Sequence, residues 1–171
     1  MRWCARSAVI SSLKRKVKSD PLEKARNYAF LLLKFRLRSV QELRERLTRK
    51  KFPAETVETV LRQLEEKQFL DDRAFTRAWI LGRAARRYGP SRIRSELRIK
   101  GIAPGMIEEG LRELGEAHPE PDEVKKLAGE KYRKLLDSAC DPRTAKRRLY
   151  AYFLRRGFSP DIVNEAIHEL E

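Results

Sequence analysis

The sequence predicts an all-α protein built from three tandem three-helix repeats. One apolar pattern recurs three times, turn residues fall at matching places in each copy, and alternating β-branched runs are absent. The three copies end at Leu64, Leu114 and Leu170. Leu43, Ile93 and Leu149 correspond, as do Leu47, Leu97 and Phe153, then Phe52, Ile102 and Phe158, then Val57, Ile107 and Val163, then Leu61, Leu111 and Ile167. The successive spacings are four, five, five, four and three residues. Fours and threes keep side chains on one helix face, so the central fives mark a turn between two helices.

Each repeat opens with a further helix. Asp20-Pro21-Leu22-Glu23 combines an N-cap, a first-turn proline and a capping carboxylate. It starts a helix with Ala25, Tyr28, Ala29, Leu32 and Leu33 on one face. Ser39 with Glu42 makes a capping box for the second helix. At the first internal turn Lys51 stands where the other copies have glycine, and Pro53 restarts the chain. Asp71-Asp72 opens the fourth helix, with Phe75, Ala78, Trp79 and Ala85 expected inward and Gly89-Pro90 expected to stop it. The adjacent carboxylates read as cap and macrodipole partners. Gly101 and Gly157 sit where a helix ends in the left-handed conformation, and Pro104 and Pro160 follow in first turns, with Ser159 as an N-cap. The seventh helix runs from about Asp122 with Val124, Leu127, Ala128, Tyr132 and Leu135 inward, and Asp141-Pro142 begins the eighth. The expected organisation is a basic, disordered arm over 1–19, repeats over 20–68, 69–114 and 122–171, and a linker over 115–121.

Lys and Arg number 39 against 25 Asp and Glu, a net charge of +14. Such a balance draws a protein towards polyanions and says nothing of its fold. Residues 1–19 hold six basic residues and no acidic one. Within each repeat the basic residues gather on the middle helix and the acidic ones on the last. Stacked repeats could therefore present a basic ridge and an acidic ridge, against the plainer reading of solvated faces with ion pairs between neighbouring helices. The candidate binding residues are Arg44, Lys50, Arg86, Arg87, Arg92, Arg94, Arg98, Lys100, Arg147, Arg148, Arg155 and Arg156. Phe52, Phe75, Trp79, Tyr132, Phe153 and Phe158 read as core, and Tyr88, beside Arg86 and Arg87, as exposed.

Cys4 and Cys140 are far apart, and His118 and His168 have no partner at ligand spacing. No zinc motif, phosphate-binding loop or nucleophile elbow is present, so no catalytic residue, metal ligand or cofactor is assigned. No apolar run reaches the roughly 18 residues of a membrane span. A reduced, cytoplasmic setting fits.

Four stretches resemble one family. Arg38-Ser39 with Glu42-Leu43 is similar to the opening of RecX proteins. Phe69-Leu70-Asp71-Asp72-Arg73-Ala74-Phe75 resembles their Leu-Asp-Asp segment, and Gly89-Pro90 with Arg92-Ile93, Glu96-Leu97 and Lys100-Gly101-Ile102 resembles their Gly-Pro stretch. Arg155-Arg156-Gly157-Phe158 is similar to their C-terminal motif. Lys51 and the long basic arm depart from the pattern. The resemblance implies an elongated, curved, non-enzymatic monomer that binds the RecA–single-stranded DNA filament, with DNA itself a possible further contact. It also implies inhibition of ATP hydrolysis, strand exchange and co-protease activity. A helical duplex-DNA-binding protein of helix-turn-helix type is the alternative class.

Overall fold

The structure is a computed structural model that describes residues 20–113 and 121–170. The N-terminal arm, most of the expected linker and His118 lie outside the described residues. Among the described residues nine α-helices run in order: α1 (Pro21–Phe35), α2 (Val40–Arg49), α3 (Ala54–Glu66), α4 (Asp72–Ala84), α5 (Pro90–Ile99), α6 (Pro104–Glu113), α7 (Pro121–Asp137), α8 (Pro142–Arg156) and α9 (Pro160–His168). No strand occurs among the described residues.

The two central spacings of five have separate physical causes. At six helix ends among the described residues a residue takes a left-handed φ: Lys51, Gln68, Arg87, Gly101, Ala139 and Gly157. After each, the next backbone N–H reaches back five residues to a helix carbonyl. The bonds are Phe52 to Leu47 at 3.4 Å, Phe69 to Leu64 at 2.8 Å, Tyr88 to Arg83 at 3.1 Å, Ile102 to Leu97 at 3.1 Å, Cys140 to Leu135 at 3.1 Å and Phe158 to Phe153 at 3.2 Å. This is the Schellman closure, in which the two bonded residues also make an apolar contact. The Phe153 and Phe158 rings lie 5.7 Å apart. The second five joins the residue before an N-cap to the fourth helical residue, as a hydrophobic staple does. Ile102 with Ile107 and Phe158 with Val163 are buried at those places. One apolar residue thus closes one helix and starts the next.

Caps follow the sequence closely. Asp20 accepts from Leu22 N, Asp71 from Arg73 and Ala74 N, Asp141 from Arg143 and Thr144 N, and Ser159 from Ile162 N. Ser39 Oγ accepts from Glu42 N at 3.1 Å, which supplies the first half of the expected box. Three details differ. Ala78 and Ala85 are exposed, and α4 instead buries Phe75, Thr76, Ile80 and Ala84. Thr76 can go inside because its hydroxyl donates to the Asp72 carbonyl at 2.6 Å. The fourth helix ends before Gly89, at the left-handed Arg87, and Gly89 is the N-cap of α5.

The chain divides into two compact units. In one, of residues 20–36 and 43–69, Ala25, Ala29, Leu43, Leu47, Val57, Val60, Leu61 and Leu64 are buried. The Tyr28 and Phe52 rings approach to 6.5 Å there. The other holds residues 37–42, the α4–α6 repeat and the α7–α9 repeat. Phe75, Ile80, Ile93, Leu97, Ile102, Ile107 and Leu111 form one core in it. Val124, Ala128, Tyr132, Ala145, Leu149, Phe153, Phe158, Val163 and Ala166 form a second.

These two cores are joined backbone to backbone. Gly89 N donates to Arg156 O at 2.8 Å and Ser91 N donates to Gly157 O at 3.2 Å. A Cβ on Gly89 would lie 2.3 Å from Gly157 O, and one on Gly157 (φ +88°) would lie 2.4 Å from Arg92 N. Only glycine allows that approach.

Candidate binding surface

Arg44 and Arg94 occupy the same register in the first two repeats and are held alike. Arg44 Nε and Nη2 donate to the two carboxylate oxygens of Glu58 at 2.8 and 3.0 Å. Arg94 Nε and Nη2 donate to Glu108 at 2.8 and 3.0 Å. These forks hold the Glu58 and Glu108 carboxyls below the usual carboxylate range, chiefly through the hydrogen bonds themselves. Further acidic residues of the last helices are taken in the same way. Glu109 binds Arg73 at 3.0 Å, Glu113 binds Arg77 at 2.6 Å, and Lys125 bridges Glu165 and Glu169 at 2.8 and 2.7 Å. Those two carboxylates raise the Lys125 ammonium well above its ordinary value. Glu58, Glu108, Glu109, Glu113, Glu165 and Glu169 therefore each face a cation of their own repeat.

A second group of candidates serves as internal structure. Glu96, half-buried, receives Arg83 Nε at 2.6 Å, Arg92 Nε at 3.1 Å and Trp79 Nε1 at 3.2 Å. The Arg83 guanidinium lies 4.5 Å from the Trp79 ring. Lys100 pairs with Glu42, and its ammonium stands 4.2 Å from the Trp79 ring. The Lys100 carbonyl accepts from Ser39 Oγ at 2.7 Å. Arg156 donates to Arg86 O at 2.6 Å and Arg87 O at 3.3 Å, and lies over the rings of Tyr88 and Tyr152 at 4.8 and 5.0 Å. Arg92 adds a bond to Arg155 O at 3.1 Å. Tyr88 is half-buried among Arg83, Arg92 and Arg156 rather than exposed.

The remaining candidates project outward. Arg86, Arg87, Arg98, Arg147, Arg148 and Arg155 are exposed and form no ion pair among the described residues. Lys50 is exposed with its ammonium 5.4 Å from the Tyr28 ring. Arg148 and Arg155 come together in a groove between α7 and α8, of about 360 Å³, with Lys131, Lys134 and Tyr152. No group of acidic, His or Cys side chains capable of holding a metal ion occurs among the described residues. No described helix is long and apolar enough to cross a membrane.

Three family descriptions match the chain in order. They are the RecX first, second and third three-helix domains, over residues 25–64, 71–111 and 121–167. The chain belongs to the RecX family. It is 35% identical over 151 residues to a regulatory protein RecX of Amycolatopsis mediterranei, covering 86% of this chain and 83% of the relative. A regulatory protein RecX of Prosthecochloris aestuarii is 33% identical over 150 residues, with 86% and 93% covered. A longer RecX of Bacillus pumilus is 29% identical, and the match spans 56% of its length. A crystal structure of regulatory protein RecX superimposes with a TM-score of 0.72 at 26% identity, over 88% of this chain and 72% of the other. RecX from Lactobacillus salivarius shares the fold with a TM-score of 0.73 at 22% identity, over 88% of this chain and 97% of the other.

Within this RecX chain, the sequence pattern had not singled out Lys131, Lys134, Tyr152 or Glu96 for a site. A usable signal was present. Extending the register from apolar to polar positions sets Glu96 against Tyr152, and Arg92 against Arg148.

Proposed function

We propose that this chain binds the RecA–single-stranded DNA filament and lowers RecA's ATPase, strand-exchange and co-protease activities, so modulating recombination and repair. The observation that carries this reading is the ordered set of three RecX three-helix domains across residues 25–167. The chain acts in the cytoplasm as a monomer, by binding rather than by catalysis. Its contacts come from the outward candidates above, with Arg98, Arg147, Arg148 and Arg155 foremost. Arg44 and Arg94, which a duplex-reading helix would present to a DNA groove, are instead forked onto Glu58 and Glu108. That geometry favours the filament reading over the helix-turn-helix alternative. The test is DNA-dependent ATP hydrolysis and strand exchange by RecA, with the chain titrated from sub-stoichiometric amounts. A fall in both rates is expected. Unchanged rates at low salt and several-fold excess would overturn the reading, and sequence-specific protection of random duplex would support the alternative.

A further inference from the structure

One contact joins successive repeats twice, and its parts are altered on the two sides that have no neighbouring repeat in the chain. At each joint the N-terminus of one middle helix meets the C-terminus of the middle helix that follows in sequence. Gly89 N and Ser91 N, at the start of α5, donate to the Arg156 and Gly157 carbonyls at the end of α8. One repeat earlier, Ser39 matches Gly89 and donates through its hydroxyl to Lys100 O, the match of Arg156, at 2.7 Å. Such a pairing satisfies groups that helix ends leave open and sets opposite ends of two helix dipoles together. The receiving side needs glycine. A Cβ on Gly101 would lie 2.5 Å from Gln41 Cβ, and one on Gly157 would meet the backbone of Arg92. Lys51 is the matching residue of the first repeat. It takes the same left-handed turn, at φ +60°, so it carries the Cβ that both joints exclude. Lys50 and Lys51 also bring positive charge to the carbonyl end of α2, where a cation favours the dipole in place of a docked helix N-terminus. The donating side is altered in α8. By register that helix would begin at Lys146, the match of Pro90, but it begins one turn sooner, at Pro142. Ala145, the match of Gly89, donates its N–H to Asp141 O at 2.9 Å and has no hydroxyl. Arg147, the match of Ser91, lies past the first four helical residues, whose amides alone are left open. Asp141 caps those itself, accepting from Arg143 and Thr144 N.

We infer that Lys51 and the added first turn of α8 are stops, which keep the contact that joins the repeats from joining this chain head to tail with a second copy. A head-to-tail contact with both of its sides on one molecule builds rings or open filaments unless a side is closed. Repeat proteins close it with terminal repeats that differ from the internal ones. Here one side is closed by a Cβ and the other by an N–H already engaged in its own helix. Positions 51, 101 and 157 thus act as one switch, at which glycine admits a neighbour and a side chain refuses it. The inference goes beyond the filament reading and depends on neither RecA nor DNA.

Two measurements on the full chain test it. Gly157→Lys puts the residue of the first stop into an internal joint. The Gly89 and Ser91 amides bond across that joint and should exchange with solvent deuterium at least about tenfold faster, while the Phe153 amide inside α8 keeps its protection. Lys51→Gly should leave all three amides unchanged. The second measurement removes the stops. Lys51→Gly opens the receiving side, and Thr144→Tyr/Ala145→Gly/Lys146→Pro/Arg147→Ser copies residues 88–91 onto the donating side. Either change alone should leave the chain monomeric in sedimentation up to about 1 mM, near the effective concentration at which a chain presents its own parts to one another. The two together should associate, with dimers and longer species growing as concentration rises. Unchanged exchange of Gly89 and Ser91 in Gly157→Lys would overturn the inference, and this measurement decides the matter if the combined variant does not fold. Association of the wild type or of either change alone would also overturn it, as would a folded combined variant that stays monomeric at that concentration.

Discussion

Glu96 and Tyr152 stand at the same place in successive repeats, each one residue before a fully buried side chain of its middle helix, Leu97 and Phe153. Around Glu96 every cation has a carboxylate or a ring to answer it. Around Tyr152, Lys131 and Arg156 lie over the ring, and no carboxylate lines the groove beside it. The backbone frame is shared, with the same Schellman closure and the same staple on either side. Apolar positions therefore decide how a repeat folds, and a few polar positions between them decide whether its charge is spent internally or offered outward.

The comparison holds only while the two repeats share their backbone joint, so the largest expected effect comes from breaking it. Gly89→Ala places a Cβ 2.3 Å from Gly157 O, and backbone cannot swing aside as a side chain can. A loss of about 2–3 kcal/mol is expected, at the upper end for overpacking. Gly82→Ala is the matched control, because nothing lies within 4 Å of its added methyl and it sits inside α4. It should stabilise the chain by roughly 0.5–1 kcal/mol. Urea midpoints for the pair that move together would show that the joint is not tight.

Removing the carboxylate from the second repeat should come next. Glu96→Gln keeps an acceptor for Trp79 Nε1 but leaves the half-buried Arg83 without its counter-ion. The expected loss is about 1–3 kcal/mol, the usual range for stranding one partner of a charged hydrogen bond. Trp79 fluorescence should report it directly, because Arg83 packs on that ring. Tyr152→Phe is the reciprocal change. It removes no charge and should shift the midpoint far less. Equal shifts would mean that Glu96 is packing rather than electrostatics.

The repeat frame was readable in advance because its signal is apolar and periodic. Leu43, Leu47, Ile93, Leu97, Leu149 and Phe153 are all buried as their spacing requires. The left-handed turns at Gln68, Arg87 and Ala139 were not readable, since these residue types pay no visible tribute to that conformation. Along α4, Ala78 and Ala85 misled for a different reason. Alanine is apolar by type but small enough to sit on either face, while Thr76 hid a buried position behind a polar name. The binding surface was readable only as a set of charges. Apart from Arg92 with Glu96 four residues on, which of the candidate arginines are already engaged depends on partners 14 to 70 residues away, such as Glu58 for Arg44 and Arg86 for Arg156. Counting charges along a helix carries no information about those partners.

The smallest expected effect lies in the paired forks of the first two repeats. Arg44–Glu58 and Arg94–Glu108 are largely exposed, and the third repeat has Tyr150 and Asn164 at the matching positions, so the fold manages without the pair. Arg94→Ala should destabilise by only about 0.2–1 kcal/mol. The pH dependence identifies the source of even so small a difference. Arg94 lowers the folded-state pKa of Glu108. A carboxyl depressed in the folded state contributes stability that is present above its unfolded pKa, about 4.3, and is lost as pH falls through the folded value. The gap between wild type and Arg94→Ala should therefore be full at neutral pH and shrink as the pH falls below about 4. Added salt at pH 7 should narrow it as well, since exposed charges are screened. A gap that stays constant down to pH 3 would place the effect in lost packing of the Arg94 stem against its neighbours, and the shared fork would then be ornament on a frame set by its apolar residues.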